Sequence, residues 1–186
     1  MSENARESIL EAARRVAQAH GYGGLNFRDI GEAIGLKAPS LYHHFPSKAD
    51  LGAAVAKRYW ESTAANLEEL SAKIGDPVKS LQAYPALWRV ALEEDNRMCL
   101  CGFMAAEYDD LPETVKKEVQ TFADVNVAWI SRMLAATSTP EDKVDSQARA
   151  IFAAISGAQL MARSRSDLGL FDALIDTFTE LGLIPK

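Results

Sequence analysis

The amino-acid sequence predicts an all-α protein of about nine helices. Apolar residues recur every three or four positions along almost the whole chain, which is the spacing of one helix face, and no segment alternates as a strand does. Helix caps, prolines and glycines divide this pattern into segments of helical length. Hydrophobic residues make up 48% and charged residues 25% of the 186 residues, so the composition is that of a globular protein with a substantial core.

Three helices are predicted in the first 47 residues. The first ends at Gly21, where the apolar face stops. The second, about residues 27–34, begins after Asn26, whose side chain is a preferred helix cap. The third spans residues 38–44 and ends before Pro46, because the residue that precedes a proline is pushed out of helical geometry.

Longer helices are predicted in the rest of the chain. Ser47 caps the fourth, about residues 48–74, with Asp50 as its acidic partner three positions later. Pro77 opens the fifth, and Pro85 should kink or divide it. The remaining starts and spans are residues 98–111 for the sixth helix, Pro112 to about Leu134 for the seventh, Thr139 as the cap of the eighth, and residues near Phe171 to Leu181 for the ninth.

Composition excludes several classes of protein. No apolar stretch approaches the ~20 residues of a membrane span. The first ten residues are polar and charged, unlike a signal peptide, so we expect a cytoplasmic protein. The two cysteines, Cys99 and Cys101, suit neither a disulfide framework nor a four-ligand zinc site.

Charge is distributed unevenly along the chain. Residues 1–58 hold eight Lys and Arg against six Asp and Glu, a net charge of +2, whereas residues 59–186 carry a net charge of −8. An acidic body with a mildly basic head would be repelled from nucleic acid everywhere except at the head. This pattern favours oriented binding of a polyanion.

The second and third predicted helices have the spacing of a helix-turn-helix, in which the second helix enters the major groove of DNA. Lys37 strengthens this interpretation. A cation in the first turn of a helix interacts unfavourably with the helix dipole and destabilises the helix by ~0.3–1 kcal/mol, so stability does not explain its presence. A phosphate at that helix end would reverse the sign of the effect. The alternative is that Lys37 is an ordinary solvated residue.

The stretch LNFRDIGEAIGLKAPSLYHHFPSKADL resembles the DNA-binding signature of the TetR family of bacterial transcriptional regulators. The chain length, the helix count and the long fourth helix are also similar to that family's plan. The resemblance implies a DNA-binding domain in residues 1–47 and an effector-binding and dimerisation domain in residues 48–186, linked by the fourth helix. Residues implied to contact a double-stranded DNA operator are Arg28, Lys37, Ala38, Pro39, Ser40, Tyr42, His43, His44 and Lys48.

The sequence departs from the family pattern at two positions. Ser or Thr is common where Lys37 stands, so the third helix lacks its usual cap. Ala is common where Gly31 stands, and glycine costs a helix ~1 kcal/mol relative to alanine. His43 and His44 point about 100° apart on a helix and do not readily share a metal ion, so we expect no metal site there.

The resemblance also implies a small-molecule effector of unknown class, held in a cavity formed by the fifth to eighth helices. Candidate lining residues are Trp88, Cys99, Phe103, Met104, Tyr108, Phe122, Trp129, Met133 and Met161, although residues of these types are more often plain core residues. Cys99 and Cys101 project to nearly opposite sides of one helix, which disfavours a bridge between them.

The last two predicted helices have apolar faces wider than a monomer needs. Pairing of two copies as a four-helix interface would cover these faces. The residues predicted to form it are Ile151, Ile155, Ala158, Phe171, Leu174, Ile175 and Phe178.

The expected function is that of a homodimeric repressor released from a palindromic operator by its effector, without a cofactor, catalytic residues or a membrane partner. The alternatives are an all-helical small-molecule-binding protein or enzyme without DNA binding, and a helical interaction module. No nucleophile and base stand in a recognisable arrangement, which disfavours the enzyme.

Overall fold

The computed structural model describes residues 2–186, with side chains from residue 4 onward; the first residues of the stretch interpreted as lacking a signal peptide lie outside this range. The fold is all-α, as predicted: ten α-helices, one 3-10 helix and no strand occur among the described residues. The α-helices are α1 Ser2–His20, α2 Phe27–Ala33, α3 Ala38–His44, α4 Lys48–Ile74, α5 Pro77–Ala83, α6 Ala86–Glu93, α7 Leu100–Ala106, α8 Glu113–Ala135, α9 Glu141–Arg165 and α10 Leu168–Glu180. The 3-10 helix is Tyr108–Asp110.

Pro85 accounts for the tenth helix. It divides the predicted fifth helix into α5 and α6, since its ring removes one backbone donor and clashes with the preceding turn. The predicted sixth to ninth helices are therefore α7 to α10. The predicted sixth helix is also shorter than expected, because α7 ends at Ala106 and the 3-10 helix follows it.

Most predicted helix starts are confirmed. The Asn26 side chain accepts hydrogen bonds from the backbone of Arg28 and Asp29. Ser47 Oγ accepts from Asp50 N at 3.1 Å and donates to the Asp50 carboxylate at 2.7 Å, so Ser47 caps α4 with Asp50 as its acidic partner, as predicted. The cap assigned to Thr139 is wrong: α9 begins at Glu141, and Thr139 pairs instead with Thr137.

The helices form two compact units. Unit 1 contains the residues up to Glu61 together with Cys99–Phe122, and unit 2 contains Ser62–Met98 and Ala123–Lys186. These units do not divide after residue 47, where the sequence places its domain boundary. The difference arises because α7 packs against α1 and therefore belongs with the head.

Unit 1 has a core built from α1 and the two helices that follow it. Ile9 and Leu10 of α1, Ile30 of α2 and Leu41 of α3 are all buried. Phe45, immediately after α3, is buried beside them, so both short helices are held by apolar contacts with longer ones. This packing is needed because a helix of seven residues is not stable alone in water.

Unit 2 is held by aromatic packing and by a charged pair. Tyr84 stacks on Trp129 with ring centroids 5.6 Å apart, and its hydroxyl donates to Asn126 Oδ1 at 2.8 Å. Arg89 of α6 donates to both carboxylate oxygens of Asp172 in α10, at 2.8 and 3.0 Å. The guanidinium hydrogen bond lowers the pKa of the Asp172 carboxyl group.

The helices that the structure describes were searched for membrane spans. None of them is both long enough and apolar enough to cross a bilayer.

Gly31 is explained by the tight turn between α2 and α3. Its carbonyl accepts hydrogen bonds from Ile34 N at 3.2 Å and Leu36 N at 2.8 Å, which folds the following chain back over α2. A Cβ on Gly31 would lie 2.6 Å from the Leu36 carbonyl oxygen, well inside contact distance. A backbone atom cannot give way as a flexible side chain can, so this turn requires glycine.

We predict that Gly31→Ala destabilises the protein by roughly 1–3 kcal/mol, the usual range for overpacking, although alanine is the better helix former by ~1 kcal/mol. Urea denaturation at fixed protein concentration measures the effect. The control is Gly102→Ala in α7, whose Cβ would sit at an ordinary 3.6 Å from Cys99 Cβ. A Gly31→Ala variant as stable as the unmodified protein would contradict the prediction.

Candidate nucleic-acid interface

The outer side of α3 carries most of the residues predicted to contact DNA. Leu41 is the buried residue of this helix, whereas Pro39, Ser40, Tyr42 and His43 are exposed. Ala38 and His44 are partly exposed. Lys37, immediately before α3, and Arg28, in the first turn of α2, are also exposed. Most of the predicted set therefore lies on α3 and at its N-cap, whereas Arg28 and Lys48 belong to α2 and α4.

Lys37 occupies the N-cap position of α3 in an extended conformation, with φ −82° and ψ 146°. Its side chain makes no capping hydrogen bond, as the sequence predicted. Proline in the first turn of α3 has no backbone N–H of its own, which removes one donor that would otherwise need a partner. The Lys37 side chain therefore does not cap α3, and it is exposed to solvent.

The orientation of Tyr42 is set by a residue that sequence reasoning missed. Phe27, the first residue of α2, is buried, and its ring centroid lies 4.4 Å from that of Tyr42. Tyr42 nevertheless stays 55% exposed, so about half of its side chain is accessible to a partner. Phe27 lies beside the Asn26 cap, which was the only signal in the sequence that this position mattered.

His43 and His44 stand edge to face at the C-terminal end of α3. The rings of His43 and His44 lie 5.6 Å apart between centroids and are tilted by 73°. Across the part of the chain that the structure describes, no three His, Cys, Asp or Glu side chains are grouped to hold a metal ion. Both imidazoles remain available as hydrogen-bonding groups at the C-terminal end of α3.

Lys48 has partners within unit 1. Its ammonium donates to the Gly23 carbonyl at 3.0 Å and lies 4.7 Å from the centroid of the Tyr22 ring. It thereby joins the first turn of α4 to the turn between α1 and α2. A phosphate contact by Lys48 stays a prediction, since an ammonium has three donors and the Gly23 bond uses one.

Glu107 holds the same turn and was not among the predicted site residues. Tyr22 N donates to its Oε2 at 2.5 Å, and Gly23 N donates to its Oε1 at 2.9 Å. These contacts join residues 84 and 85 positions apart. No sequence pattern could have indicated them, because the spacing follows from how α7 packs on α1.

The predicted ligand-binding residues are divided between the two units. Cys99, Phe103, Met104, Tyr108 and Phe122 belong to unit 1, and Trp88, Trp129, Met133 and Met161 belong to unit 2. Two of these assignments are wrong for an interior pocket, because Tyr108 and Met161 are exposed on the surface. Tyr108 packs instead under the Lys116 ammonium.

Unit 2 contains an aromatic cluster, which we define as Tyr84, Trp88, Trp129 and Phe152. Trp88 meets Tyr84 and Phe152 edge to face, with centroids 6.3 and 5.6 Å apart. Sequence reasoning found the two tryptophans but missed Tyr84. Trp129 is only 2% exposed, and among the described residues its indole N–H has no hydrogen-bond acceptor. An unpaired buried donor of this kind costs roughly 1–3 kcal/mol.

An open cleft of about 680 Å³ lies between α8 and α9 in unit 2. Its lining includes Asp124, Asp145 and Arg149 as well as Phe152 from the aromatic cluster. None of the residues predicted for ligand binding lines it. The cleft is therefore an open surface feature with a mixed polar and apolar lining, distinct from the predicted pocket.

Four residues predicted for the dimer interface are already buried within one chain. Ile151, Ile155, Ala158 and Phe171 pack in the core of unit 2, so their side chains are unavailable to a second copy, and the prediction is wrong for them. Leu174, Ile175 and Phe178 are partly exposed and remain predictions. The sequence predicts wide apolar faces on α9 and α10 because it does not distinguish their core-facing apolar residues from their outward-facing ones.

Cys99 and Cys101 are both buried thiols at the start of α7. Burial raises the pKa of Cys99 to about 11 and raises the pKa of Cys101 well above its usual value. The Tyr59 hydroxyl forms a hydrogen bond with the Cys99 sulfur, which partly offsets this rise in pKa. Both thiols remain protonated near neutral pH, so neither is in the thiolate form that reacts with oxidants or alkylating reagents.

Comparison with known proteins gives two family matches that together cover most of the chain. Residues 9–55 match the model of "bacterial regulatory proteins, tetR family". Residues 77–177 match the model of the "transcriptional regulator LmrA/YxaF-like, C-terminal domain". The first match contains α2 and α3, and the second contains the aromatic cluster.

Individual relatives are transcriptional regulators rather than enzymes. The chain is 34% identical over 43% of its length to the repressor AcnR of Corynebacterium diphtheriae, of which the alignment spans only 41%. It is 25% identical to the regulator LmrA of Bacillus subtilis over 86% of both chains. A TetR-family regulator from Agrobacterium tumefaciens has a similar solved structure, with a TM-score of 0.89, 29% identity and coverage of 97% of this chain and 98% of that one.

We predict that neither cysteine reacts with iodoacetamide in the folded protein at pH 7.5, and that both react in denaturant. At that pH, which is below the raised pKa of each thiol, the protonated form dominates, and burial blocks the reagent. Mass spectrometry counts the alkylated thiols. Ala136→Cys places a third cysteine at an exposed position and checks that the reagent is active. Rapid alkylation of Cys99 or Cys101 under native conditions would contradict the burial argument.

Proposed function

Because the chain belongs to the TetR family of bacterial regulatory proteins, we propose that it is a repressor that binds a palindromic DNA operator as a homodimer and is released by a small-molecule effector. The exposed side of α3 is the observation that carries this proposal. One buried leucine anchors the helix, and its other side chains, together with Lys37 at the N-cap, offer a cation, hydrogen-bonding groups and small apolar surfaces to a groove.

The DNA contacts divide into two kinds. Lys37, Ala38, Pro39 and Tyr42 are placed to approach base edges, with Ala38 and Pro39 suited to thymine methyl groups. The remaining residues would bind the sugar-phosphate backbone and fix the orientation of α3: Arg28, Ser40, His43, His44 and Lys48. The positive charge of the head and the negative charge of the rest of the chain support this orientation.

The proposed contact with a second copy is an apolar surface on α9 and α10. We define the α9–α10 surface as Leu160, Met161, Leu174, Ile175, Phe178 and Leu181, all exposed or partly exposed in the single chain. Large exposed apolar side chains on two consecutive helices are typical of a subunit interface. A two-fold pairing through this surface would present two copies of α3, as a palindrome requires.

The proposed effector contacts are Trp88 and Trp129 in the aromatic cluster. The unpaired indole N–H of Trp129 would gain an acceptor from an oxygen-bearing ligand, which supports this location. Helices α4 and α8 each have residues in unit 2 and in unit 1, so a ligand that displaced them would act on the head. A coupling of ~1–3 kcal/mol changes operator affinity by ~5–150-fold. A regulator of this kind acts on chromosomal DNA, and we therefore propose a cytoplasmic location.

We predict that Tyr42→Ala weakens binding to operator fragments, selected from genomic DNA with the unmodified protein, by about 1–3 kcal/mol. Lys37→Ala should also weaken binding by about 1–3 kcal/mol and relax the sequence specificity at one position, as expected for a lost base contact. Quantitative footprinting measures both. Lys73→Ala removes an exposed cation at the far end of α4 and is the charge-matched control. Full protection by both head variants would refute the assignment.

We also predict that Leu160→Asp converts the dimer to a monomer at micromolar concentration, because it would bury a charge in the α9–α10 surface. The control is Val90→Asp in α6, since Val90 is 52% exposed and Leu160 is 56% exposed. Sedimentation equilibrium distinguishes the two states. If the unmodified protein already sediments as a monomer, or if both variants remain dimers, the proposed interface is wrong.

A further inference from the structure

The turn between α1 and α2 is held from outside by two charged side chains of unit 1. Both carboxylate oxygens of Glu107 are used: Oε2 accepts from Tyr22 N and Oε1 accepts from Gly23 N. On the other side, the Lys48 ammonium donates to the Gly23 carbonyl. Opposite charges therefore bind the N–H and C=O groups of the same short segment, so its position is set by α7 and α4 together.

The backbone of this turn is shaped for a carboxylate. Gly21 has φ +68°, the left-handed conformation that favours glycine. A Cβ on Gly21 would lie 2.2 Å from Glu107 Oε2, so a side chain at this position would displace the carboxylate. Two successive N–H groups that point at one anion form a backbone nest. The glycine thus allows both the turn and the close approach of Glu107.

Glu107 is the C-cap residue of α7, and the N-terminal end of α7 is also held by a side-chain contact. Cys99, at the N-cap, is hydrogen-bonded to Tyr59 of α4. Helix α7 therefore lies between α4 and the turn that leads into α2, and it packs along α1 between these two ends. Any change in the position of α7 is passed to the α1–α2 turn through the Glu107 carboxylate.

We propose that Glu107 is a positioning residue for DNA binding: it fixes the α1–α2 turn and thereby sets where α2 and α3 stand. This inference rests on the proposed function and adds a residue that touches no DNA. The change in DNA affinity expected on removal of Glu107 is opposite in sign to the change expected from its charge alone. Removal of a negative charge near a DNA-binding head should strengthen binding, whereas loss of the turn's anchor should weaken it.

The test compares Glu107→Gln and Glu107→Ala with Asp110→Asn. Glutamine keeps the shape of the side chain, but its amide group has only one acceptor oxygen and turns an N–H toward one of the two backbone donors. Asp110 lies three residues away, is exposed, and loses the same charge without touching the turn. Three properties are measured in each variant: operator affinity, affinity for unrelated DNA, and hydrogen exchange at the amides of Tyr22 and Gly23.

For both Glu107 variants we expect operator affinity to fall by ~5–150-fold, the range of a typical coupling between sites. Affinity for unrelated DNA should not fall, and the Tyr22 and Gly23 amides should exchange faster. Asp110→Asn should bind the operator at least as tightly as the unmodified protein. Glu107→Asp keeps the charge but should not retain the operator affinity of the unmodified protein, because its side chain is one methylene too short to reach both donors.

Three results would overturn the inference. The first is unchanged operator affinity in Glu107→Gln and Glu107→Ala. The second is unchanged exchange at Tyr22 and Gly23, which would show that the carboxylate does not hold the turn. The third is a parallel loss of operator binding, unrelated-DNA binding and helix content, which would mean that Glu107 only stabilises the fold. A failure of the proposed function differs from all three, because the unmodified protein would then select no DNA sequence.

Discussion

A helix of seven residues forms in water only when its neighbours hold it, and α3 depends on this constraint. Leu41 supplies the anchor within α3, and Phe45 supplies a second one just beyond its end. The tight turn at Gly31 brings α2 close enough for these contacts to form. Because so little of α3 is needed for packing, the rest of its surface is free to carry groups that stability alone would not select, such as the uncapped Lys37.

The same constraint makes the surroundings of the helix-turn-helix part of its function. A short element cannot fix its own orientation, so residues outside α3 decide where it stands. Phe27 orients Tyr42, and Lys48 and Glu107 hold the turn that precedes α2. These contacts come from three different helices of unit 1, including α7 in residues 99–122, which are remote in sequence. Unit 1 is therefore larger than the DNA-binding motif because the motif needs support that only distant segments supply.

The buried polar groups of the two units differ in how burial affects them. In unit 1, burial raises the pKa of the Cys99 and Cys101 thiols and keeps them protonated, and Cys99 forms a hydrogen bond with Tyr59. In unit 2, the Tyr84 hydroxyl is paired with Asn126, whereas the Trp129 indole N–H is buried without an acceptor in the described part of the chain. A buried donor without an acceptor costs roughly 1–3 kcal/mol, whereas a paired group such as the Tyr84 hydroxyl carries no such cost.

The sequence alone determined the all-α class, the helix starts at Asn26 and Ser47, the missing cap at Lys37 and the helix-turn-helix itself. These features depend on neighbours within a turn or two, where spacing and capping chemistry are strong. It could not separate core from interface in α9 and α10, as Ile155 and Phe171 illustrate, because both faces of a nearly apolar helix look alike without a partner helix in place. Only the tertiary structure decided that Gly31 is required by a carbonyl five residues later and that Glu107 reaches the Tyr22 and Gly23 amides, since such contacts arise from the packing of segments whose separation in the chain carries no pattern.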